Sequence, residues 1–425
     1  MFLDEKGYDV KGVNSGVEAL DEVDMTPYDL VFLDENMPGL NGIETLQRIK
    51  ERHPDLPVIM ITKSEEEHIM EEAIGSKISD YLIKPVNPNQ ILLAVKKILD
   101  NRRLQGEQAL STYMREFREL SMRLGGDLDA NEWMDVYKRL MHWHLTLGEG
   151  QDRSMLEILE TQHAEANQQF VRFVESNYDA WMTGAEEAPM MSHRLLPEWL
   201  PPALEGADGR PLFLVVIDNL RWDQWRAIAP MLRPHWNVVE EKSYFSMLPT
   251  TTQYARNALF AGMTPAEIAR VMPECWLSES AEGSKNAHEA TLQAALFDRL
   301  GIEGKHSYHK ITNLTAGKRL EDHFHELKGE RISTVVYNFV DMLSHARSDM
   351  EVIKELADDE AAYRSLTQSW FGHSPLKGMM DAMAAMGGRM VLTTDHGTIR
   401  VNEAVEVRGD RATNNNLRYK VGKNL

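Results

Sequence analysis

A single cysteine, Cys275, stands in 425 residues, which excludes an intrachain disulfide and any cysteine-based zinc centre. There is no run of about 18 apolar residues, so no membrane span is expected. The opening Met1-Phe2-Leu3-Asp4-Glu5-Lys6 has no basic stretch ahead of an apolar one and does not read as a secretory signal. A reducing cytoplasm is the simplest setting for such a chain. Positive charge is also scarce: 46 Lys and Arg against 66 Asp and Glu leave a net charge of −20. Duplex DNA binding depends on Lys and Arg neutralising phosphates, so direct binding to duplex DNA is not expected. A local basic cleft would still accept a short nucleotide.

What is present divides the chain into four stretches. Residues 1–103 alternate short apolar runs with helical patterns, the mark of a parallel α/β sheet. Tyr28–Leu33, Val58–Ile61 and Tyr81–Ile83 read as its strands. Residues 104–183 lose the strand-like runs. Leu110, Met114, Phe117, Leu120 and Leu124 recur at helical spacing, as do Trp133, Val136, Leu140 and Trp143, then Leu156, Leu159, Phe170, Phe173 and Val174. A central three-helix bundle is predicted. Residues 184–210, with Pro189, Pro197, Pro201 and Pro202, read as a linker. From Pro211 to residue 425 the α/β pattern returns, with strands predicted at Leu212–Ile217, Thr334–Tyr337 and Met390–Thr393.

Two constellations carry chemistry. In the first, a strand ends in Asp34, another in Thr62 and a third in Lys84-Pro85, with Tyr81 just before. Ligands bind at the carboxyl ends of strands in an open parallel sheet, so these side chains converge. Asp34 is a candidate carboxylate nucleophile toward a phosphoryl donor. Lys84 would neutralise the added charge, Thr62 would bond the phosphoryl oxygens, and Tyr81 would follow Thr62 inward.

In the second, Asp218 closes an apolar strand. Pro249-Thr250-Thr251-Thr252 precedes a helix-like run ending in Gly262. Asp341 and His345 follow one strand-like run, and Asp395-His396-Gly397 follows another. Carboxylates and imidazoles suit zinc. Two such metals would clamp the attacking and leaving oxygens of a phosphoryl transfer. A hydroxyl at a helix start is placed to attack, because the helix N-terminus favours its alkoxide and an incoming anion. Other histidines are expected to be structural or solvated. His142 and His144 lie two apart on a helix and point to different faces; His306, His309 and Lys310 are most simply surface residues, with a substrate-phosphate contact as the alternative.

The residues around Asp34 resemble a response-regulator receiver domain of flavodoxin-like fold. That resemblance implies phosphorylation on Asp34 and a Mg²⁺ ion, for which Asp34 and the Asn36 carbonyl are the groups present. It also implies an opening strand and acidic pair ahead of residue 1, so a longer natural start is expected. The second constellation resembles the alkaline phosphatase superfamily, closest to its nucleotide pyrophosphatase/phosphodiesterases and PglZ domains. By that likeness Thr252 is the nucleophile. Asp218, Thr252, Asp395 and His396 would surround one zinc ion, and Asp341 and His345 a second. The family's third ligand to the second ion is a late histidine. None follows His396, so a longer natural C-terminus is expected. The phosphodiesterases place an asparagine three residues after the nucleophile, where this chain has Ala255. Asn219, Arg256 and Asn257 are the candidate substrate contacts in its stead.

Receiver, helical bundle and PglZ-type domain in this order resemble the PorX-type response regulators of Bacteroidetes. This implies a PorY-type sensor histidine kinase as partner, control of type IX secretion, a homodimer on phosphorylation and an extracytoplasmic-function sigma factor as a further partner. The substrate class implied is a nucleotide or oligonucleotide phosphodiester. The alternative is a non-catalytic scaffold, gated by phosphorylation, that binds a sigma factor or a nucleotide signal. A sulfatase is disfavoured, since that chemistry needs a Cys or Ser where Thr252 stands.

Overall fold

A computed structural model describes residues 2–63, 78–148, 153–185, 187–277, 283–357, 359–401, 405–410, 413–414 and 419–422; within these the side chains of 100–110, 148, 153–154 and 348–349 are not described. The chain divides into two units, Met1–Phe117 and Arg118–Leu425.

The first unit is built on three parallel strands, β1 (Val31–Asp34), β2 (Val58–Thr62) and β3 (Asp80–Ile83), in that order across the sheet. Helix α1 (Gly16–Met25) is capped by the Ser15 hydroxyl. Helix α2 (Gly42–Arg52) is opened by a reciprocal Asn41–Glu44 capping box. Leu20, Val23, Leu46 and Ile49 from these helices pack on Leu33, Val58 and Met60. A Cβ on Gly42 would lie 2.5 Å from the Asp34 carbonyl oxygen, so a side chain there would push α2 off the end of β1. The first strand is shorter than the sequence pattern predicted: Tyr28, Asp29 and Leu30 precede it.

Helix α3 runs unbroken from Pro88 to Leu124, so the boundary expected at 103 falls inside a helix. Tyr113, Leu120 and Leu124 are the buried residues of its described C-terminal part, whereas Met114, expected on the apolar face, is 42% exposed. Leu110 lies outside the described side chains. In the second unit, α4 (Ala130–Gly148) and α5 (Arg153–Thr183) pack together. Trp133 meets Phe170 edge-on at 5.4 Å, and Gln162 donates to Ser121 near the end of α3 at 3.0 Å.

This bundle half-buries an ionisable pair. The His144 and His163 rings meet edge to face at 5.4 Å. Burial first, then the neighbouring His163 and Arg364 charges, push His144 from its ordinary 6.5 down to about 4, against Asp223 and Glu360. The unfolded chain therefore takes up a proton below about 6.5 that the folded chain refuses, and stability falls as pH drops from there to about 4. His144→Leu is expected to remove up to on the order of 2–3 kcal/mol of this acid-side loss. Melting temperatures of both proteins from pH 7.5 to 4.5 would show the variant's flatter slope; parallel slopes would refute the assignment.

The stretch 184–210, expected as a linker, instead carries α6 (Ser192–Glu205). Three prolines inside it remove backbone donors. Its Leu195, Leu196, Leu200, Ala203 and Leu204 nevertheless face the core, and tertiary burial outweighs the lost hydrogen bonds.

Beyond α6 lies a four-stranded parallel sheet in the order β5-β6-β4-β7. Its strands are β4 (Leu212–Ile217), β5 (His306–Ile311), β6 (Ile332–Tyr337) and β7 (Arg389–Thr393). Alternation splits β4 between two cores. Leu212, Leu214 and Val216 meet α6, α8 (Thr252–Ala261) and α10 (Glu289–Arg299), while α9 (Pro265–Val271) adds Ile268. Phe213, Val215 and Ile217 meet α7 (Trp222–Leu232) and, further along the chain, α14 (Glu360–Gly372) and α15 (Pro375–Ala385). Helices α11 (Leu314–Asp322), α12 (Phe339–Asp349) and α13 (Glu351–Leu356) lie between β5 and α14 along the chain. Both β4 and β6 are buried along their whole length, as strands covered on two faces must be.

Candidate metal and nucleophile site

Strands β4, β6 and β7 are parallel neighbours, so the segments leaving their carboxyl ends meet at one edge of the sheet. Asp218 follows β4 directly. Asp341 sits in the first turn of α12, just past β6, with His345 one turn on. Asp395 and His396 follow β7 after Thr394. Thr252 is the first residue of α8, and Gly262 closes that helix with φ 59°, accepting no Cβ because Leu296 Cδ1 would lie 2.7 Å away.

Around His396 Nε2 the distances are short and similar. Thr252 Oγ1 lies at 3.3 Å, Asp218 Oδ1 at 3.5 Å and Asp395 Oδ2 at 3.7 Å. Ligands about 2.0–2.1 Å from a tetrahedral zinc ion stand roughly 3.3–3.5 Å from one another. Asp218, Asp341 and His396 also each offer an atom within 4.8 Å of the others. Asp218 Oδ1 is buried without a hydrogen-bond partner among the described residues. An orphaned carboxylate oxygen of this kind is costly unless a cation satisfies it. The donor set and its spacing fit a metal ion. Asp341 Oδ2 and His345 Nε2 stand 3.3 Å apart, with the imidazole 67% exposed.

The scaffolding around these groups is dense. Asn219, in the left-handed region at φ 62°, donates its backbone N–H to Asp395 Oδ1 at 3.2 Å and its Nδ2 to Asp341 Oδ1 at 3.2 Å. The Ser246 hydroxyl donates to the Asp395 carbonyl at 2.8 Å, and Tyr244 donates there at 3.2 Å. Thr394 Oγ1 accepts from the Leu220 N–H and donates to the His396 carbonyl. Arg256, fully buried one turn beyond Thr252, bonds Asp395 Oδ2 through Nε at 2.9 Å and ion-pairs with Asp218 Oδ2 through Nη2. Burial and the Asp395 charge push Asp218 well above the usual carboxylate range, with Arg256 opposing. Burial would also raise Asp395, but the Arg256 and His396 charges and the Asn219 N–H hold it low.

Three sequence expectations are corrected here. Asn257 was expected as a substrate contact; it is 1% exposed and donates to the Lys285 carbonyl at 3.0 Å, pointing into a loop. Arg256 and Asn219 were expected likewise; both are 0% exposed and grip the carboxylates instead. The sequence also missed Glu289, Tyr244 and Ser246, which lie outside the four motifs. It passed over β5 as a strand, although Lys310 in it reaches Glu289 at 3.2 Å.

At the other sheet, Asp34 Oδ2 and the Lys84 ammonium form an ion pair, and Asp34 Oδ1 accepts the Asn36 N–H at 3.1 Å. Burial works to raise Asp34, but the Lys84 and Asn36 bonds hold it below its ordinary value. The buried Thr62 hydroxyl donates to Glu35, and Tyr81 is 39% exposed. The structure thus places Asp34, Thr62 and Lys84 at one sheet edge, with the Tyr81 ring partly in solvent.

Comparison with known proteins matches three stretches of the chain. Residues 1–96 match the response regulator receiver domain, 103–182 the PorX response regulator linker domain and 195–425 the BREX system PglZ alkaline phosphatase-like domain. Over 99 residues the chain is 34% identical to the transcriptional regulatory protein ResD of Bacillus subtilis, covering 23% of this chain and 41% of that one. Over 111 residues it is 35% identical to ZraR of Klebsiella oxytoca, covering 26% and 25%. The chain thus spans between a quarter and about two-fifths of these relatives' lengths. Among solved structures, the NtrX receiver domain from Brucella abortus is 29% identical over 23% of this chain and 84% of that one, with TM-score 0.23. A Clostridium difficile response regulator is 30% identical over 23% and 81%, with TM-score 0.23.

Receiver and phosphatase-like domains on one chain define a two-component response regulator. The PglZ match takes in more than half of the residues. The chain belongs to the PglZ family, in the domain architecture of PorX-type response regulators.

Proposed function

We propose that this response regulator is phosphorylated on Asp34 and that its output is a zinc-dependent phosphodiesterase acting on nucleotides or oligonucleotides. The observation that carries the reading is the set of three oxygens, from Thr252, Asp218 and Asp395, each 3.3–3.7 Å from His396 Nε2. Asp218, Thr252, Asp395 and His396 would hold one zinc ion, and Asp341 with His345 a second. Zinc there would favour the threonine alkoxide and neutralise phosphoryl oxygens. Thr252 Oγ1 attacks phosphorus from the start of α8, where backbone N–H groups favour negative charge. The Thr252 O–P bond forms as the ester P–O bond breaks, and the alcohol leaves. Water then cleaves the phosphothreonine and restores the hydroxyl. Asn219 keeps Asp341 and Asp395 in register throughout.

In the receiver, Asp34 and the Asn36 carbonyl would hold Mg²⁺, and Lys84 would turn from Asp34 to the new phosphoryl group. A PorY-type sensor histidine kinase as donor, a phosphorylation-dependent homodimer, an extracytoplasmic-function sigma factor as partner and control of type IX secretion belong to the same proposal, carried by the shared domain order. One observation favours the scaffold alternative: Ala255, fully buried, offers no amide where the phosphodiesterases have one.

The test is elemental analysis of the purified protein together with hydrolysis of bis(p-nitrophenyl) phosphate before and after chelation. Bound zinc and activity that a chelator removes and zinc restores are expected. Bound zinc with no hydrolysis would leave the scaffold.

A further inference from the structure

Arg256 is the largest fully buried side chain in the described structure. Its surroundings extend well past the four motifs. On one side it meets Asp218 Oδ2 and Asp395 Oδ2. On the other, Nη1 faces Glu289 Oε1 at 3.5 Å and Asn338 Oδ1 at 3.4 Å. Glu289, 1% exposed, is itself fixed by three groups: Asn286 Nδ2 donates to Oε1 at 2.8 Å, Lys310 Nζ lies 3.2 Å from Oε2, and the Tyr308 hydroxyl donates to Oε2. The relay thus runs from the edge strand β5 through the first residue of α10 to the guanidinium, and on to two carboxylates of the candidate metal site.

Two buried carboxylates this close repel each other and would turn apart. A guanidinium is a planar fork that engages two acceptors at fixed angles, which an ammonium does not. Because Arg256 takes Asp218 Oδ2, the orphaned Oδ1 is turned toward His396. Thr252 and Arg256 are four apart on α8 and share its face, so the same helix sets both the hydroxyl and the fork.

We infer that Arg256 and Glu289 are positioning residues for metal binding: Glu289, braced from β5, fixes the guanidinium, and the guanidinium aims Asp218 and Asp395 at the ion. This rests on the reading of Asp218, Thr252, Asp395 and His396 as metal ligands. Charge alone makes a different prediction. If Arg256 mattered only as a positive charge, Arg256→Lys would leave zinc affinity unchanged. If the fork positions the ligands, Arg256→Lys loses one of its two grips.

The experiment is zinc affinity of the whole chain by chelator competition, with circular dichroism to verify folding. Arg256→Lys is expected to weaken zinc binding roughly tenfold to a hundredfold, the usual cost of disturbing a group that orients metal ligands. Glu289→Gln, which touches no proposed ligand, is expected to weaken it severalfold. The double variant should be no weaker than Arg256→Lys alone, because Glu289 acts through Arg256. If Glu289→Gln does not fold, Tyr308→Phe removes one brace from Glu289 and is expected to shift affinity in the same direction. Wild-type affinity in both single variants, or effects that multiply in the double, would overturn the inference and leave the metal reading standing. A wild-type chain that binds no zinc would overturn the metal reading itself, and this inference with it.

Discussion

Thr252→Ala is expected to lower hydrolysis of bis(p-nitrophenyl) phosphate by at least about a thousandfold, the scale on which loss of a covalent nucleophile is felt. The protein should stay folded, because among the described residues the hydroxyl has a long 3.3 Å contact to His396 Nε2 and the residue opens α8 rather than filling its core. Alanine is also a good helix former, so α8 is not weakened. Thr252→Ser keeps a hydroxyl at the same atom and should retain a measurable part of the rate. The two variants together separate a nucleophile from a mere packing residue. Undiminished turnover in Thr252→Ala would remove Thr252 from the chemistry and return the function to a binding scaffold.

The second large effect is on stability. Three residues after Asp218, the nearly buried Arg221 grips Asp223 with Nε at 2.9 Å and Nη2 at 2.6 Å, and pairs with Glu360 through Nη1. Arg364 reaches Asp223 at 3.3 Å and Arg347 reaches Glu360 at 2.9 Å. The Arg221 and Arg347 guanidinium groups both lie over the Tyr363 ring, 5.2 and 4.8 Å from its centroid. This network ties the start of α7 to α12 and α14, the second of these helices carrying Asp341. Arg221→Ala leaves Asp223, 2% exposed, with one arginine instead of two. Breaking a buried pair in this way costs about 3 kcal/mol or more. For a domain of this size, a melting temperature lower by roughly 6–12 °C follows. A shift under about 2 °C would mean that Arg364 and Arg347 carry the network unaided.

The physics of burial decides which parts of this molecule were legible in its sequence. Strand β4 is Leu-Phe-Leu-Val-Val-Ile and could be read directly, because a strand covered on both faces must be apolar throughout. Strand β5, His-Ser-Tyr-His-Lys-Ile, lies at the sheet edge with only partial cover, so it carries the polar residues that disguise it. Helix α6 was hidden by its prolines, whose local preference yields to an apolar face that only the tertiary structure shows. Asp218, Asp341, Asp395 and His396 stood out because each follows a strand-like run, while Thr252 was singled out from Thr250 and Thr251 by the family resemblance. The places of Arg256 and Glu289 did not stand out. A signal was present even so: Arg256 interrupts Ala255–Ala261, an otherwise largely apolar helical run, and an arginine in such a run must find acids to be buried.

The carboxyl edge of the second sheet also sets an order of events during synthesis. Asn219 bonds Asp395 across 176 residues of chain. At 5–20 residues per second, roughly 10–35 s pass between the emergence of the two from the ribosome. In that interval β4 can pair with β6 but not with β7. Asp218, Arg256 and Glu289 are then already made, so the guanidinium has two of its three acidic partners while Asp395 is still to come. The donor set at this sheet edge is therefore completed last, when the segment after β7 brings Asp395 and His396 to Asp218 and Thr252.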